Sequence, residues 1–540
     1  MTTSERELSL SEPQIDEIAS GQPTAETLTL LRAGQAALRR VLLLAVRRRL
    51  GEPAAGPFDL LGRAAAAARE PVEEIVTRPF AHDWGLRALT ADSAEALREL
   101  TTLATAAAIR AGLDLRTTLP ATGGALFLPG LGVADRLHCD TVVLRQTGGA
   151  LELGCPHSGA PAPRRRATRT ISLADDWAIT LEEHEPRRIA LGHPRAITPA
   201  ALRDAEQLIR QAWVMAEAAF PGYARTARHL LRAIFPLEGE ESTATSSSSP
   251  VAGGCVAMDV GVPVEIAVLM LIHETQHLLL AAAADLTPFC VPGGSDLFRA
   301  PWKHFPRTAP TMLQGVFAHA AVIDYWRVRR RAGPDQREAL WQFAYLREVT
   351  TAAVGELRGS AELTGVGRRL VDGLLARAAD WAAEAVPAAV AELASVTGRA
   401  ESTRWHLGNL RVASGEAERL ARAYRKGARD RIVLPGRHLR PEGPEKPAPD
   451  GGLIARLHGA GLGREPAATA VPGLAAARRA VAESPAADEP WIALAAAAPE
   501  PLLAARPDLV RAVLLALRAR DGAAGPEADE LAGWLSAREQ

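Results

Sequence analysis

Apolar and polar residues recur along this chain with two different periods, and the changes of period divide it. The first stretch has helical spacing. Ser11-Glu12-Pro13-Gln14 has the form of a capping box and predicts a short helix ending near Gly21. Leu28, Leu31, Leu38, Leu42 and Val46 then stripe a second helix. Further helices are expected over residues 58–68 and 93–111. Pro and Gly interrupt the pattern over residues 119–133. Beyond them, residues 141–145 and 150–153 flank Gly148-Gly149, which reads as a β-hairpin. Residues 177–181 and 188–191 read as further strands. A β insert over about residues 114–197 therefore sits in an otherwise helical chain.

Helical spacing returns at Thr198-Pro199, a cap followed by a first-turn proline, and is expected to persist to residue 219. The serine-rich residues 242–250 read as a polar loop. Residues 253–259 read as a strand. It leads into a helix that starts at Pro263 and carries Ile266, Leu269, Met270, His273, His277 and Leu280 on what reads as its buried face. Pro310 opens another helix to about residue 331, and helices continue to about residue 428. The Pro- and Gly-rich residues 434–452 read as a linker, followed by an Ala-rich helical region over 453–540. In that region residues 489–494 faintly resemble a tetratricopeptide-type helix pair. The expected fold is mainly α with a small antiparallel β-sheet, an α+β chain. Its domains are residues 1–433, a linker and a small C-terminal region, with a metal site between two core helices.

Composition narrows the function classes. The chain has 540 residues, 47% of them apolar and only 4% aromatic, so Ala, Leu and Val must fill much of the core. A formal net charge of −1 gives no electrostatic case for nucleic acid or an anionic membrane. The arginine runs at 47–49, 164–166 and 329–331 are short and read as solvated faces. Four cysteines, Cys139, Cys155, Cys255 and Cys290, are too sparse to suggest a secreted disulfide framework. The N-terminal residues have no signal-peptide pattern, and the early apolar run 41–46 is too short to span a bilayer. A soluble cytoplasmic protein is expected.

The stretch with most chemistry is His273-Glu274-Thr275-Gln276-His277, an H-E-x-x-H motif. On a helix its histidines stand at i and i+4, so both imidazoles leave one face and reach one divalent metal. Glu274 lies on the adjoining face, close to a metal-bound water or a partner of a ligand. The bland alternative is a pair of histidines that merely pack.

A third ligand is required. The extended H-E-x-x-H-x-x-G-x-x-H pattern is absent, because Leu278 to Ala281 follow the motif. No glutamate occurs between Glu274 and Glu338. The nearby donors are Asp285, Asp296, His304, His319 and Asp324. His319 is preferred: Met312, Val316 and Trp326 share its face, and Gly315, one turn before it, lets another helix approach. Asp324 is the runner-up, since two histidines and a carboxylate form the facial triad of non-haem iron oxygenases. Between these helices, Arg299, Lys303 and Arg307 lie among aromatics and suit a carboxylate. The cluster His138-Cys139 with Cys155-Pro156-His157 matches no common zinc spacing.

At these residues the chain resembles the H-E-x-x-H proteins of ribosomal-peptide (RiPP) biosynthesis, described as iron- and 2-oxoglutarate-dependent peptide β-hydroxylases. The resemblance rests on the motif itself, on Ala300-Pro301-Trp302-Lys303 and on Leu313-Gln314-Gly315-Val316-Phe317-Ala318-His319. It extends to Arg404-Trp405-His406-Leu407-Gly408-Asn409-Leu410-Arg411 and to the opening region from Leu10 to Arg39. Lys303 stands where arginine is expected more often. The resemblance implies Fe(II) held by His273, His277 and a third ligand. It implies 2-oxoglutarate with its distal carboxylate on an arginine or lysine, and hydroxylation of a β-carbon in a precursor peptide. Glu274 then orients a ligand or bound water. The alternative is a zinc metallopeptidase with Glu274 as the catalytic base. A third class is a peptide-recognition protein with a degenerate metal site.

Overall fold

Ser11 opens the first helix: its backbone N–H donates to the Gln14 side chain at 3.0 Å. The computed structural model describes residues 8–137, 139–155, 164–191, 197–238, 244–332, 336–440, 452–464, 466, 470–521 and 525–539. Most of these residues are helical, with several small sheets. The chain divides into two compact units, Met1–Pro288 and Phe289–Gln540.

The first unit begins with six helices, α1 (Glu12–Ala19), α2 (Ala25–Leu50), α3 (Ala55–Ala67), α4 (Arg69–Val76), α5 (Ala81–Ala88) and α6 (Ser93–Arg110). Val46, Leu61, Ile75, Trp84 and Leu100 close one core between them. Six strands follow: β1 (Leu115–Pro120), β2 (Leu126–Leu128), β3 (Gly132–Asp135), β4 (Thr141–Thr147), β5 (Ala150–Gly154) and β6 (Arg164–Ala167). They form two antiparallel sheets, ordered β1-β4-β5 and β2-β3-β6. The expected hairpin is β4–β5. Gly148 and Gly149 have φ of 56° and 83°, as a tight turn matched to the strand twist requires.

Its two ends meet, and Cys139 and Cys155 form a disulfide across them with Cα atoms 6.0 Å apart. This pairing was not expected from the sparse cysteines, because strand register, not cysteine count, brings them together. His138, Pro156 and His157 lie outside the described residues.

The remaining elements of this unit are β7 (Arg169–Ala174), β8 (Trp177–Leu181), α7 (Pro199–Ala219), α8 (Pro221–Leu230), β9 (Ala233–Leu237), β10 (Ser246–Ser248), β11 (Cys255–Asp259) and α9 (Val264–Ala284). Thr198 caps α7, its hydroxyl accepting from the Ala201 N–H at 3.2 Å. The five strands form one sheet ordered β10-β11-β9-β8-β7, in which β8 and β11 both run parallel to β9. So the β part comprises several sheets, one of them mixed, where a single small antiparallel sheet was expected. Residues 188–191 belong to the short 3₁₀ segment Pro186–Leu191 and not to a strand. Part of the serine-rich stretch is a strand, β10, and not a loop.

The second unit contains β12 (Leu297–Phe298), β13 (Arg307–Thr308), α10 (Ala309–Ala332), α11 (Gln336–Arg358), α12 (Gly365–Ala382), α13 (Ala388–Asn409) and α14 (Ser414–Arg425). Further helices follow from Leu453–Gly461 to Ala528–Ser536. These late helices share their cores with the earlier ones. Leu407, Leu420 and Ile432 pack with Trp491, Leu503, Leu514 and Leu531. Trp341, Tyr345 and Leu393 pack with Ile454, Leu457 and Ile492.

The division of the chain thus falls at Pro288/Phe289, and the C-terminal region does not stand apart behind a linker. Within the expected linker, His438–Leu439 pairs with Leu410–Arg411 as a short antiparallel ladder, while residues 441–451 lie outside the described residues. Fully burying each large side chain contributes about 1.5–3 kcal/mol, and a whole domain is stable by only about 5–15 kcal/mol. A chain ending at Ala448 is therefore expected to lose cooperative folding of the second unit. Thermal melting by circular dichroism checks this; an unchanged transition would restore the linker.

Candidate metal centre

Strand β11 delivers the chain to α9, and Pro263 caps the helix, its carbonyl accepting the first helical N–H groups. The helix packs against α2, α7, α8 and the sheet. It is long and apolar enough to cross a bilayer, yet most of it is buried inside the first unit. Its least buried stripe is Ile266, Leu269, His273 and His277, whereas Leu271, Glu274 and Leu278 are buried. The face expected to be buried is so at Met270 and Leu280, but only half so at Ile266, Leu269, His273 and His277. With neighbours on its other sides, α9 leaves its histidines at a half-buried face. A catalytic metal needs such a face, because it must keep coordination positions open.

The His273 and His277 Nε2 atoms lie 3.2 Å apart, with ring centroids 4.8 Å apart and the planes near perpendicular. Two nitrogens on one ion, each about 2.0–2.1 Å from it, lie about 3–3.5 Å apart. The pair therefore fits two ligands of a single ion. It equally forms a hydrogen bond when one ring donates.

Glu274 does not join this pair. Its side chain is only 3% exposed, and each carboxylate oxygen accepts a hydroxyl: Ser246 Oγ at 2.7 Å and Ser248 Oγ at 2.6 Å. Alternation along β10 explains the arrangement. Residues two apart share a face, so Ser246 and Ser248 both reach α9 while Ser247 turns the other way, to the Leu191 carbonyl at 2.8 Å. Hydrogen bonds to a charged group are worth about 1.5–3 kcal/mol each. Replacing both Ser246 and Ser248 by Ala is therefore expected to cost about 3–6 kcal/mol of stability. Urea unfolding of the single and double variants checks this; additive losses below about 1 kcal/mol would mean that the carboxylate is solvated.

In the second unit His319 sits on α10. Its Nδ1 lies 2.9 Å from the Gly315 carbonyl and its ring stacks on Trp302 at 3.8 Å. The carbonyl bond places the proton on Nδ1, so Nε2 is the basic nitrogen of the neutral ring, as in many metal-binding histidines. Gly315 admits the Trp302 indole rather than another helix. A Cβ there would stand 2.3 Å from the ring.

Asp324 is committed elsewhere. It accepts from Arg377 Nη2 at 2.9 Å and Trp381 Nε1 at 2.8 Å, which weakens its claim as a ligand. Among the described residues, no three His, Cys, Asp or Glu side chains gather into a group able to hold an ion. The structure thus brings His273 and His277 together and leaves the third ligand open.

The three candidate cations differ. Lys303 is exposed, and Arg307 lies over the Phe305 ring at 4.7 Å. Arg299 is half-buried; its Nε is enclosed without a hydrogen-bond partner, and no carboxylate pairs with it among the described residues. Desolvation lowers its pKa, against the attraction of Glu401. Glu401 is itself occupied, by Tyr345 Oη at 2.5 Å and His458 Nε2 at 2.8 Å.

The two distant stretches around this loop meet. Asn409 Nδ2, at the end of α13, donates to the His304 carbonyl at 2.8 Å. His406 beside it is 4% exposed, and its Nδ1 is bonded to the Ala504 carbonyl at 3.0 Å. Burial, with Arg299 and Arg437 nearby, pushes its pKa down to about 3. A histidine held neutral in the fold but free to protonate when unfolded stabilises fully above pH 6.5. That contribution is lost as pH falls from 6.5 toward 3. Between pH 7 and 5 the native chain is expected to lose about 1–2 kcal/mol more stability than His406→Gln. Parallel denaturant titrations check the difference, and equal losses would exclude it.

Sequence reasoning missed Ser246 and Ser248. They lie in an unbroken run of four serines, which offers no alternation by which to pick them out. No family model matches this chain, and no curated protein matches it.

Proposed function

We propose that the protein is an iron- and 2-oxoglutarate-dependent hydroxylase of a ribosomally made peptide. The observation that carries this reading over a zinc peptidase is the state of Glu274. A peptidase base must approach metal-bound water, and here both carboxylate oxygens are taken by serine hydroxyls on a buried face. The carboxylate pins α9 to β10 and so fixes the angle at which His273 and His277 leave the helix.

His273 and His277 would hold the metal, with His319 as the proposed third ligand. Its Nδ1 bond to Gly315 and its stack on Trp302 fix the ring in one orientation. When bound, iron with 2-oxoglutarate and dioxygen supplies oxidation of an unactivated C–H bond. Arg299 supports the second half of the reading. Its enclosed Nε has no hydrogen-bond partner and no carboxylate pairs with it among the described residues, and a ligand carboxylate would supply one through two parallel hydrogen bonds. The histidines lie on a half-buried stripe of α9, not sealed in the core. The test is mass spectrometry of short peptides made from open reading frames neighbouring the gene, each incubated with the protein, Fe(II) and 2-oxoglutarate. One added oxygen on a side chain is expected; fragments formed with zinc would establish the peptidase instead.

A further inference from the structure

A cavity of about 1110 Å³ opens within the first unit among α5, α6, the β1–β3 strands and the segment His184–Arg187. None of the metal-motif residues lines it. Drug-sized ligands occupy pockets of about 300–1,000 Å³, so this one has room for several residues of a chain.

Its lining charges differ in burial. Buried Glu185 is ion-paired with Arg78. Half-buried Arg187 bonds Asp83 at 3.0 Å and Glu99 at 2.5 Å. Two arginines thus answer three carboxylates among these less exposed groups, which leaves one negative charge over. Glu95, Arg87 and Arg98 stand exposed at the mouth, and neither arginine has an ion pair among the described residues. The mouth thus keeps an excess of positive charge. Leu103, Leu126, Phe127 and Val133 add apolar lining. An occupant matching this profile carries carboxylates at the mouth and apolar side chains inside. The wall segment also runs on to Leu191, whose carbonyl is bonded by Ser247 on β10, the strand that holds Glu274.

We propose that this cavity binds a peptide segment of mixed acidic and apolar residues, and so recruits the substrate at a distance from the two histidines. The choice of a peptide over a small anion rests on the proposed peptide-modifying activity as well as on the size of the cavity. The probe is a short fluorescein-labelled peptide of alternating Leu and Glu, followed by anisotropy with the full chain and no added metal; its Leu-Lys counterpart is the control. Saturable binding of the Leu-Glu peptide alone is expected. Arg87→Glu combined with Arg98→Glu should weaken it at least about tenfold, as reversal of steering charges does. Arg63→Glu, on an exposed face of α3, should not change it.

Filling the cavity by Ala125→Trp should abolish binding. Thr102→Trp, on α6, repeats the test should the first variant melt early. Equal binding of both peptides, no binding, or unchanged affinity in the filled variants would overturn the proposal. Complete displacement by millimolar free glutamate would make the cavity a small-anion site and overturn the peptide occupant. His273→Ala combined with His277→Ala should bind the probe normally. Peptide binding without any succinate formation would therefore count against the oxidation alone, and succinate formation without peptide binding against the cavity alone.

Discussion

His273→Ala and His277→Ala are each expected to abolish stoichiometric Fe(II) binding while leaving the fold intact. The two Nε2 atoms lie 3.2 Å apart on a half-buried stripe, so each ring is replaceable without opening the core behind it. Loss of one nitrogen leaves at most two protein ligands, too few for a stable site of this type. Because the pair lies on one helix, the metal should also stabilise α9 and the first unit, by mass action on the folded state alone. Metal content after dialysis, with thermal melting in the presence and absence of Fe(II), reads both effects. His319→Ala belongs in the same series. Unchanged iron in that variant would pass the third-ligand role to another donor. Asp324 is a poor one, bonded as it is to Arg377 and Trp381.

Arg299→Ala is expected to raise the 2-oxoglutarate requirement strongly while iron content stays the same. Its Nε is enclosed without a partner, its charge is disfavoured by burial, and the nearby Glu401 already serves Tyr345 and His458. A cation in that condition gains most from a bidentate carboxylate. Losing such a bond costs about 2–4 kcal/mol, which is about 30- to 1000-fold in apparent affinity. Lys303→Ala and Arg307→Ala should each change it by less than about fivefold, since Lys303 is exposed and Arg307 rests on Phe305. The reading of succinate formation against co-substrate concentration separates the three. A large effect at Lys303 or Arg307 with none at Arg299 would move the clamp; no effect at any would remove it from this loop.

The local fold was legible wherever one residue type imposes one conformation. Ser11 with Gln14, Thr198 with Pro199 and the Gly148-Gly149 turn each formed as their chemistry requires. What could not be read was which faces would be buried. The period of α9 gave a stripe containing His273 and His277, and an amphipathic helix would bury it. The helix is instead enclosed on nearly every other side, so the stripe became its most open part. Composition misled twice for the same reason. Four serines in a row signal a loop by polarity, yet two of them bond Glu274 from a strand. Sparse cysteines gave no sign of a disulfide framework, yet a hairpin brought two of them together. The Pro- and Gly-rich residues 434–452 did not separate two cores, because Trp491 and Leu503 pack into the core of Leu407 and Leu420.

The most direct measurement of the central claim is succinate formation by the full chain, freed of metal and reloaded with either Fe(II) or Zn(II), in the presence of 2-oxoglutarate, dioxygen and short peptides made from open reading frames neighbouring the gene. Succinate and oxygenated peptide should form in equal amounts with Fe(II), and neither should form with Zn(II) or in the His273→Ala protein. Peptide cleavage with Zn(II) and no succinate with Fe(II) would contradict it.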